Sequence, residues 1–513
     1  MNAALIGDSR HRGRASHMPR LHVPRLLVII VALGLATASC SGHPAPAASA
    51  PPVNSLTVKS CTVQGLPARC GTLIVPEDRL TGQGRTIPVR FVVFPATGRH
   101  RAPDPVVYFA GGPGDSAVGD IPGQLDAVLG LIQDRDLVFI DQRGTGGSNG
   151  LTCPSPPNTL AYKSLVRGTI EACLASLRSK ADLRFYTSAM AAGDVAQVLT
   201  ALGYGQVNLF GISYGATAAQ VFQRLFPGRV RTMTLLSGTL LSIPYYERVP
   251  QASQQALNSV FARCASDPAC HGAFPHLAAE WAQLRGSLAA RPVTLPAAQS
   301  PTGTAIHLDN AWLAFQVHQL LTGASTAVYV PLLIHTLAAT KNRAAALAEA
   351  IRQLQAAGRL PSDTFLPESV ISYPIRCAEP WARYQPGQIA DPSSYYYQYI
   401  QADAQFWQYA CTLTPAPGAA ASYGPPKPSN MPVLMINGTA DPQDPPANMS
   451  GAQAIWPDSR LLAEPGQSHE INLEAFTQCD AGLIQTFVEH ANAKQLNASC
   501  LTQVALPSFP TQG

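Results

Sequence analysis

Gln206-Val207-Asn208-Leu209-Phe210-Gly211-Ile212-Ser213-Tyr214-Gly215, continued by Ala216 to Phe226, changes character at its midpoint. Gln206 to Phe210 alternates polar and apolar and reads as a strand, while Ala216 to Phe226 is a run of helix formers stopped by Pro227-Gly228. Between them lies Gly-x-Ser-x-Gly. A serine held at a sharp strand-to-helix turn occupies strained backbone space, so the residues two positions away must lack side chains and its hydroxyl stands clear of the sheet edge. The pattern alone is weak, because Gly146-Gly147-Ser148-Asn149-Gly150 matches it too. That second match runs into Pro154, Pro156 and Pro157, which bar a helix, so Ser148 reads as a loop residue.

Around Ser213 the plan extends both ways. Ala191 to Leu202 places Val195, Val198, Leu199 and Leu202 at helical spacing, and Val230 to Leu236 is a further strand. Strand, helix and strand in series imply a parallel sheet with crossover helices. Upstream, Gly71 to Val75 and Thr86 to Val93 read as short strands forming an antiparallel entrance to it. Pro105 to Phe109 is a continuous apolar strand that runs into Ala110-Gly111-Gly112-Pro113-Gly114. This loop lacks the Gly-Lys-Ser/Thr ending of a phosphate cradle. Its glycines instead suit close approach of backbone amides to an oxyanion, with Gly112 and Tyr214 as the candidate donors. Leu137 to Ile140 is another buried strand, and the Asp141 and Arg143 that follow it read as an ion pair or turn support rather than as chemistry.

Downstream, Pro244 to about Asn430 is mainly helical, with helices expected at Leu277–Ala290, Asn310–Leu321, Ala344–Ala356 and Ser393–Tyr409. A helical block inserted between strands reads as a lid. Its Tyr395-Tyr396-Tyr397 run either lines a cleft or packs within the lid. The sheet resumes at Pro432 to Ile436, followed by Gly438-Thr439-Ala440-Asp441, and Arg460 to Leu462 leads to Gly466-Gln467-Ser468-His469 and a last helix, Leu473–His490. Ser213, Asp441 and His469 thus each follow a strand, in the chain order that a Ser-Asp-His hydrolase on such a sheet requires. Asp444 rivals Asp441, which comes sooner after its strand. His271, His276, His307, His318 and His335 fall in the lid and read as satisfied or solvent-facing.

At 513 residues the chain exceeds what one core usually spans, which fits a large domain with an insertion. Charged residues are only 13%, against roughly 25% in an average soluble domain. Of 35 basic and 31 acidic residues, five arginines and one aspartate lie before residue 40, so beyond that leader the two signs are equal and nothing favours a nucleic-acid partner. The leader itself has a basic start, an apolar run from Leu26 to Ala36 and small residues before Cys40, the layout of a secretory signal too short to span a bilayer. Ala36-Thr37-Ala38 fits a general cleavage site, whereas Thr37-Ala38-Ser39-Cys40 resembles a lipobox that would put a lipid anchor on Cys40. Ten further cysteines suit an exported, oxidised protein, periplasmic, envelope-bound or secreted. None forms Cys-x-x-Cys, so zinc and thioredoxin-like readings lose to disulfides. They permit roughly 945 pairings, nine times the number for eight. Proximity in sequence favours Cys61 with Cys70, Cys153 with Cys173, Cys264 with Cys270, Cys377 with Cys411, and Cys479 with Cys500.

With these motifs in this order, the chain resembles the α/β-hydrolase peptidases, in particular the secreted bacterial branch around prolyl iminopeptidase and tripeptidyl aminopeptidase, over about Gly71 to His490. Ala110 departs from it, standing where prolyl iminopeptidases carry His, and so does Gln-Ser ahead of His469. The resemblance implies an α/β-hydrolase fold, a mostly parallel central sheet flanked by helices with an inserted, mainly helical lid. The expected division is a signal peptide at 1–39, a Pro/Ala/Ser-rich tether at 40–57, core at 58–243, lid at 244–430 and core again at 431–513. It implies an aminopeptidase acting on short peptides from a free N-terminus through an acyl-enzyme on Ser213, without metal or cofactor. Ile375-Arg376-Cys377-Ala378-Glu379 resembles that branch's motif of a cysteine and an acid, which would make Glu379 the receptor of the substrate's α-ammonium. The plainer reading is a surface glutamate or a partner of Arg376 or Arg383. A carboxylesterase or lipase would use the same triad, and a non-catalytic binding protein on this scaffold would resist labelling by a serine-directed organophosphonate.

Overall fold

The structure, a computed structural model, describes residues 52–123, 130, 133–153, 167–303, 305–358, 370–418, 422–424, 427–469 and 478–511. The signal segment, Cys40 and the tether as far as residue 51 lie outside the described residues. Among the described residues, no helix is long and apolar enough to cross a membrane.

Nine strands make one sheet: β1 (Leu56–Val63), β2 (Leu66–Pro76), β3 (Thr86–Phe94), β4 (Val106–Phe109), β5 (Leu137–Ile140), β6 (Val207–Ile212), β7 (Val230–Leu236), β10 (Val433–Gly438) and β11 (Ser459–Glu464), with β8 (Val293–Leu295) and β9 (Ile306–Leu308) paired apart from it. The order across the sheet is β1-β2-β3-β5-β4-β6-β7-β10-β11. The first three strands and β5 pair antiparallel, and every pairing from β5 to β11 is parallel. β1 escapes the sequence reading and begins inside the stretch assigned to the tether. It is an edge strand exposed along most of its length, Leu56 and Val58 included, so no buried face sets it apart from the tether before it.

Two cores follow from the two faces of the sheet. Along β3, Val89, Phe91 and Val93 point to one face with Val107 and Leu209, while Val92 and Phe94 point to the other with Tyr108, Phe139 and Phe210, the period-two alternation of a pleated strand. Helices α1 (Ser188–Ala201) and α2 (Tyr214–Leu225) cover the first face through Val195, Val198 and Phe222, and α7 (Gln478–His490) covers the second through Ile484 and Phe487. The lid has its own core, in which α3 (Tyr245–Ser266) packs with Leu277–Ala290, α4 (Asn310–Leu321), Val330–Ala338 and Arg343–Ala356 through Leu257, Leu284, Leu313, Leu333 and Ile351. α3 is absent from the sequence reading because Pro250 sits inside it. The helix bears the lost backbone bond because Val249, Leu257, Val260 and Cys264 bury one face. A fourth cluster joins lid to core, with Leu151 and Tyr186 meeting Tyr246, Ile371, Tyr373 and Trp407. Helices α5 (Ser372–Ala378) and α6 (Tyr397–Leu413) complete the lid; α6 starts four residues later than the tyrosine-rich pattern suggests.

Five disulfides are formed: Cys61–Cys70, Cys153–Cys173, Cys264–Cys270, Cys377–Cys411 and Cys479–Cys500. The fourth ties α5 to α6. The charged pair after β5 is structural. Arg143 is fully buried, grips Asp194 at 2.6 and 2.8 Å, and donates to the carbonyls of Glu77 and Phe185. Asp141 accepts from Ser116 Oγ at 2.6 Å and from the Val118 and Gly147 amides at 2.9 Å. Breaking a buried pair leaves the surviving charge short of partners, and among the described residues Asp194 would keep only the Arg79 ion pair at 2.8 Å. Arg143→Ala is therefore expected to cost about 3 kcal/mol of stability. Chemical denaturation of the two proteins measures it, and a loss below about 1 kcal/mol would contradict the structural role.

Candidate active site

Parallel sheets of this kind place their ligands at the carboxyl ends of the strands. Here the Gly-rich loop follows β4, Ser213 follows β6, and the loops after β10 and β11 bring Asp441 and His469. β4 and β6 are neighbours, with Phe109 level with Gly211, so the Gly-rich loop and the serine turn stand side by side. Ser213 has φ 54° and ψ −123°, a left-side conformation that a non-glycine residue rarely holds. Its flanking glycines are obligatory. A Cβ on Gly211 would run into the Gly215 carbonyl, and one on Gly215 into the Phe109 carbonyl.

His469 Nε2 lies 2.9 Å from Ser213 Oγ, and His469 Nδ1 lies 3.0 Å from Asp441 Oδ2. Those partners assign the tautomer, since a carboxylate accepts the Nδ1 proton and leaves Nε2 to accept from the hydroxyl. Asp441 is 1% exposed, and its Oδ1 takes the amides of Gln443 and Asp444 at 2.9 and 2.8 Å, which fixes the carboxylate's aim. The chain's second glycine-framed serine plays no part. Ser148 Oγ donates to the Asp141 carbonyl at 2.7 Å and accepts the Arg90 amide at 2.8 Å, inside a buried turn.

Tyr214 is the first residue of α2, so its amide is among the helix's unpaired N-terminal donors. Gly112, at φ 104°, lines the same cavity as Ser213 and Tyr214. That cavity, about 140 Å³, reaches from Ser213 to the lid, where Tyr245, Ile375, Glu379 and Arg383 close it.

Glu379 is 4% exposed, which sets aside the surface reading. Its Oε1 accepts the Ser188 amide at 3.0 Å and its Oε2 accepts the Ser188 hydroxyl at 2.9 Å. Ser188 Oγ has one proton, so the Tyr214 hydroxyl, 2.7 Å away, donates to it, giving a relay from Tyr214 through Ser188 to Glu379. Neither arginine claims the carboxylate. Arg383 donates to the Glu379 main-chain carbonyl at 3.3 Å and to the Leu241 carbonyl at 2.6 Å, and Arg376 donates to Tyr246 at 3.4 Å while lying over Trp407. Among the described residues Glu379 forms no ion pair. Burial pushes its carboxyl up to about 7, against the pull of the Ser188 bonds and Arg383.

The lid also contributes His318 of α4. It is buried, bonded to Ser253 Oγ at 2.8 Å and stacked on Tyr396 at 4.2 Å, and burial lowers it to about 3, so it stands as a neutral imidazole behind the His469–Asp441 pair. Tyr395 meets Trp281 edge-on at 5.6 Å, so this part of the tyrosine run packs within the lid. Ser188 and Thr239, the latter on the cavity wall and donating to Asp444, escaped the sequence reading. Ser188 had a usable signal, as the residue after the helix N-cap Thr187, whereas Thr239 had none.

A family described as having the alpha/beta hydrolase fold matches residues 104–476. A tripeptidyl aminopeptidase of Streptomyces lividans is 28% identical over 189 residues, covering 33% of this chain and 35% of that protein. The serine protease Hip1 of Mycobacterium tuberculosis is 28% identical over 236 residues, covering 42% of this chain and 45% of its own length. The matched stretch is thus less than half the length of either relative. Among solved structures, a proline iminopeptidase of Mycobacterium smegmatis is similar at 15% identity and a TM-score of 0.35, covering 82% of this chain and 98% of its own.

Proposed function

Given that this chain belongs to the alpha/beta hydrolase fold family, we propose that it is a serine hydrolase acting as an aminopeptidase, which cleaves short peptides from a free N-terminus. Ser213 attacks the carbonyl and His469 Nε2 takes its proton. Asp441 orients the ring and stabilises the imidazolium, the amides of Tyr214 and Gly112 receive the oxyanion, and His469 returns the proton to the leaving amine. Water then releases the acyl group by the same steps in reverse.

The observation that carries the choice of substrate is Glu379. A buried carboxylate on the wall of the Ser213 cavity, bonded by one serine and in no ion pair among the described residues, is a receptor for an ammonium group. The cavity's size points the same way. At about 140 Å³ it compares with cavities of roughly 150 Å³ that admit a benzene, so it has room for one side chain beside the scissile carbonyl. The relatives that carry peptidase names support this reading. A carboxylesterase is the second reading, favoured by the apolar wall of Leu240, Leu241 and Ile243, which would hold an uncharged acyl chain equally well.

A hydrolysis panel separates them. Free-amine aminoacyl and tripeptidyl amides are expected to be cleaved, their N-acetylated forms to be poor substrates, and simple esters to be intermediate. Preference for the acetylated forms would move the assignment to the esterase. The disulfides, which persist in oxidising compartments, support export to the periplasm, the envelope through a lipid on Cys40, or the medium.

A further inference from the structure

Asp444, the sequence rival of Asp441, does not lose its place at the site. Its Oδ2 lies 3.4 Å from the same His469 Nδ1 that Asp441 holds at 3.0 Å. Its Oδ1 accepts the Thr239 hydroxyl, which in turn accepts Asn448 Nδ2 at 2.8 Å, and its main-chain carbonyl takes Asn437 Nδ2 at 2.7 Å. The carboxyl is thus held by Thr239, itself fixed by Asn448, on a backbone anchored by Asn437, and the residue also lines the cavity. Two carboxyls aimed at one ring nitrogen exceed what orientation of the ring requires.

We propose that Asp444 is a positioning residue that shares the Nδ1 side of His469 with Asp441, and that its charge sets the pH range in which His469 can accept the Ser213 proton. The argument rests on the serine-hydrolase reading above and goes beyond it. When Asp444 is ionised, two negative charges flank the ring and hold it as imidazolium, which cannot act as a base. When Asp444 keeps its proton, only Asp441 acts and the ring is neutral and competent. The surroundings bring the two conditions into competition near neutrality, since burial raises the Asp444 carboxyl and Asp441 adds to this, while His469 and Thr239 oppose it. The other groups facing it do not reverse the balance. Tyr245 of α3 is un-ionised, held well above its ordinary range by desolvation, His318 of α4 is neutral, and Arg376, which lines the same cavity, bears on Tyr245. Asp444 and His469 therefore titrate as a pair, with two macroscopic steps rather than one.

The test is the pH dependence of inactivation by diisopropyl fluorophosphate, which reads His469 and Ser213 in the free enzyme and needs no knowledge of the substrate. Full-length wild type is expected to show a two-step acid limb. Asp444→Asn should give a single-proton limb displaced by roughly one unit to lower pH, whatever happens to the plateau. Thr239→Val keeps the carboxyl but removes the donor that stabilises its charge, and should move the limb the same way by less. A merely structural Asp444 would lower the plateau and leave the limb where it was, and that result overturns the proposal. Should Asp444→Asn lose its cooperative thermal transition, Thr239→Val decides, an unmoved limb again counting against it. Wild type that resists the reagent altogether removes the serine nucleophile itself, a failure recognisable before any variant is made.

Discussion

Ser213→Ala is expected to fold normally and to lose at least about 10⁴-fold in kcat/KM, because the covalent route needs an oxygen that alanine lacks and only binding and the oxyanion donors remain. Ser148→Ala should keep its turnover. It removes two hydrogen bonds from a buried turn, so its signature is a stability loss of about 1–3 kcal/mol. Both proteins assayed on one substrate, with thermal melts alongside, make the comparison. Full activity in Ser213→Ala would remove the elbow serine from the chemistry.

Glu379→Gln should divide the substrates. A hydrogen bond to a charged group contributes about 1.5–3 kcal/mol, so KM for a free-amine peptide is expected to rise roughly 10- to 150-fold. A small acyl ester makes no such contact and should be cleaved as before. The pH dependence has a definite sign. Because the Glu379 carboxyl sits at about 7, the fraction ionised falls as pH drops through that value, and kcat/KM for amine substrates should fall with it beyond the fall seen for the ester. The glutamine variant should lose that extra limb. Equal losses on amine and ester would place Glu379 outside the amine site.

The sheet was legible because its buried strands advertise themselves. Leu137–Ile140, a continuous apolar run, and Val230–Leu236, which begins just after Pro227-Gly228, have the same ends in the structure as in the reading. β1 and α3 were not legible, the first because its side chains meet water on both faces and the second because Pro250 mimics a stop. The strand-elbow-helix motif, the places of the acid and histidine after strands and their chain order pointed to Ser213, Asp441 and His469, of which the structure sets His469 within hydrogen-bond reach of both others. What order could not supply was the company they keep. Ser188 reaches Glu379 across 191 residues and Thr239 reaches Asp444 across 205, contacts with no local pattern to reveal them.

The five disulfides run in strict succession, each closing before the next begins, with separations of 9, 20, 6, 34 and 21 residues. A chain threaded N-terminus first into an oxidising compartment meets its cysteines in that order. From Cys61 onward, joining each newly arrived thiol to the unpaired one just before it yields these five bridges without reshuffling. Oxidative folding of this protein should therefore call for a thiol oxidase and little from an isomerase, and each bridge can close before the rest of the chain arrives.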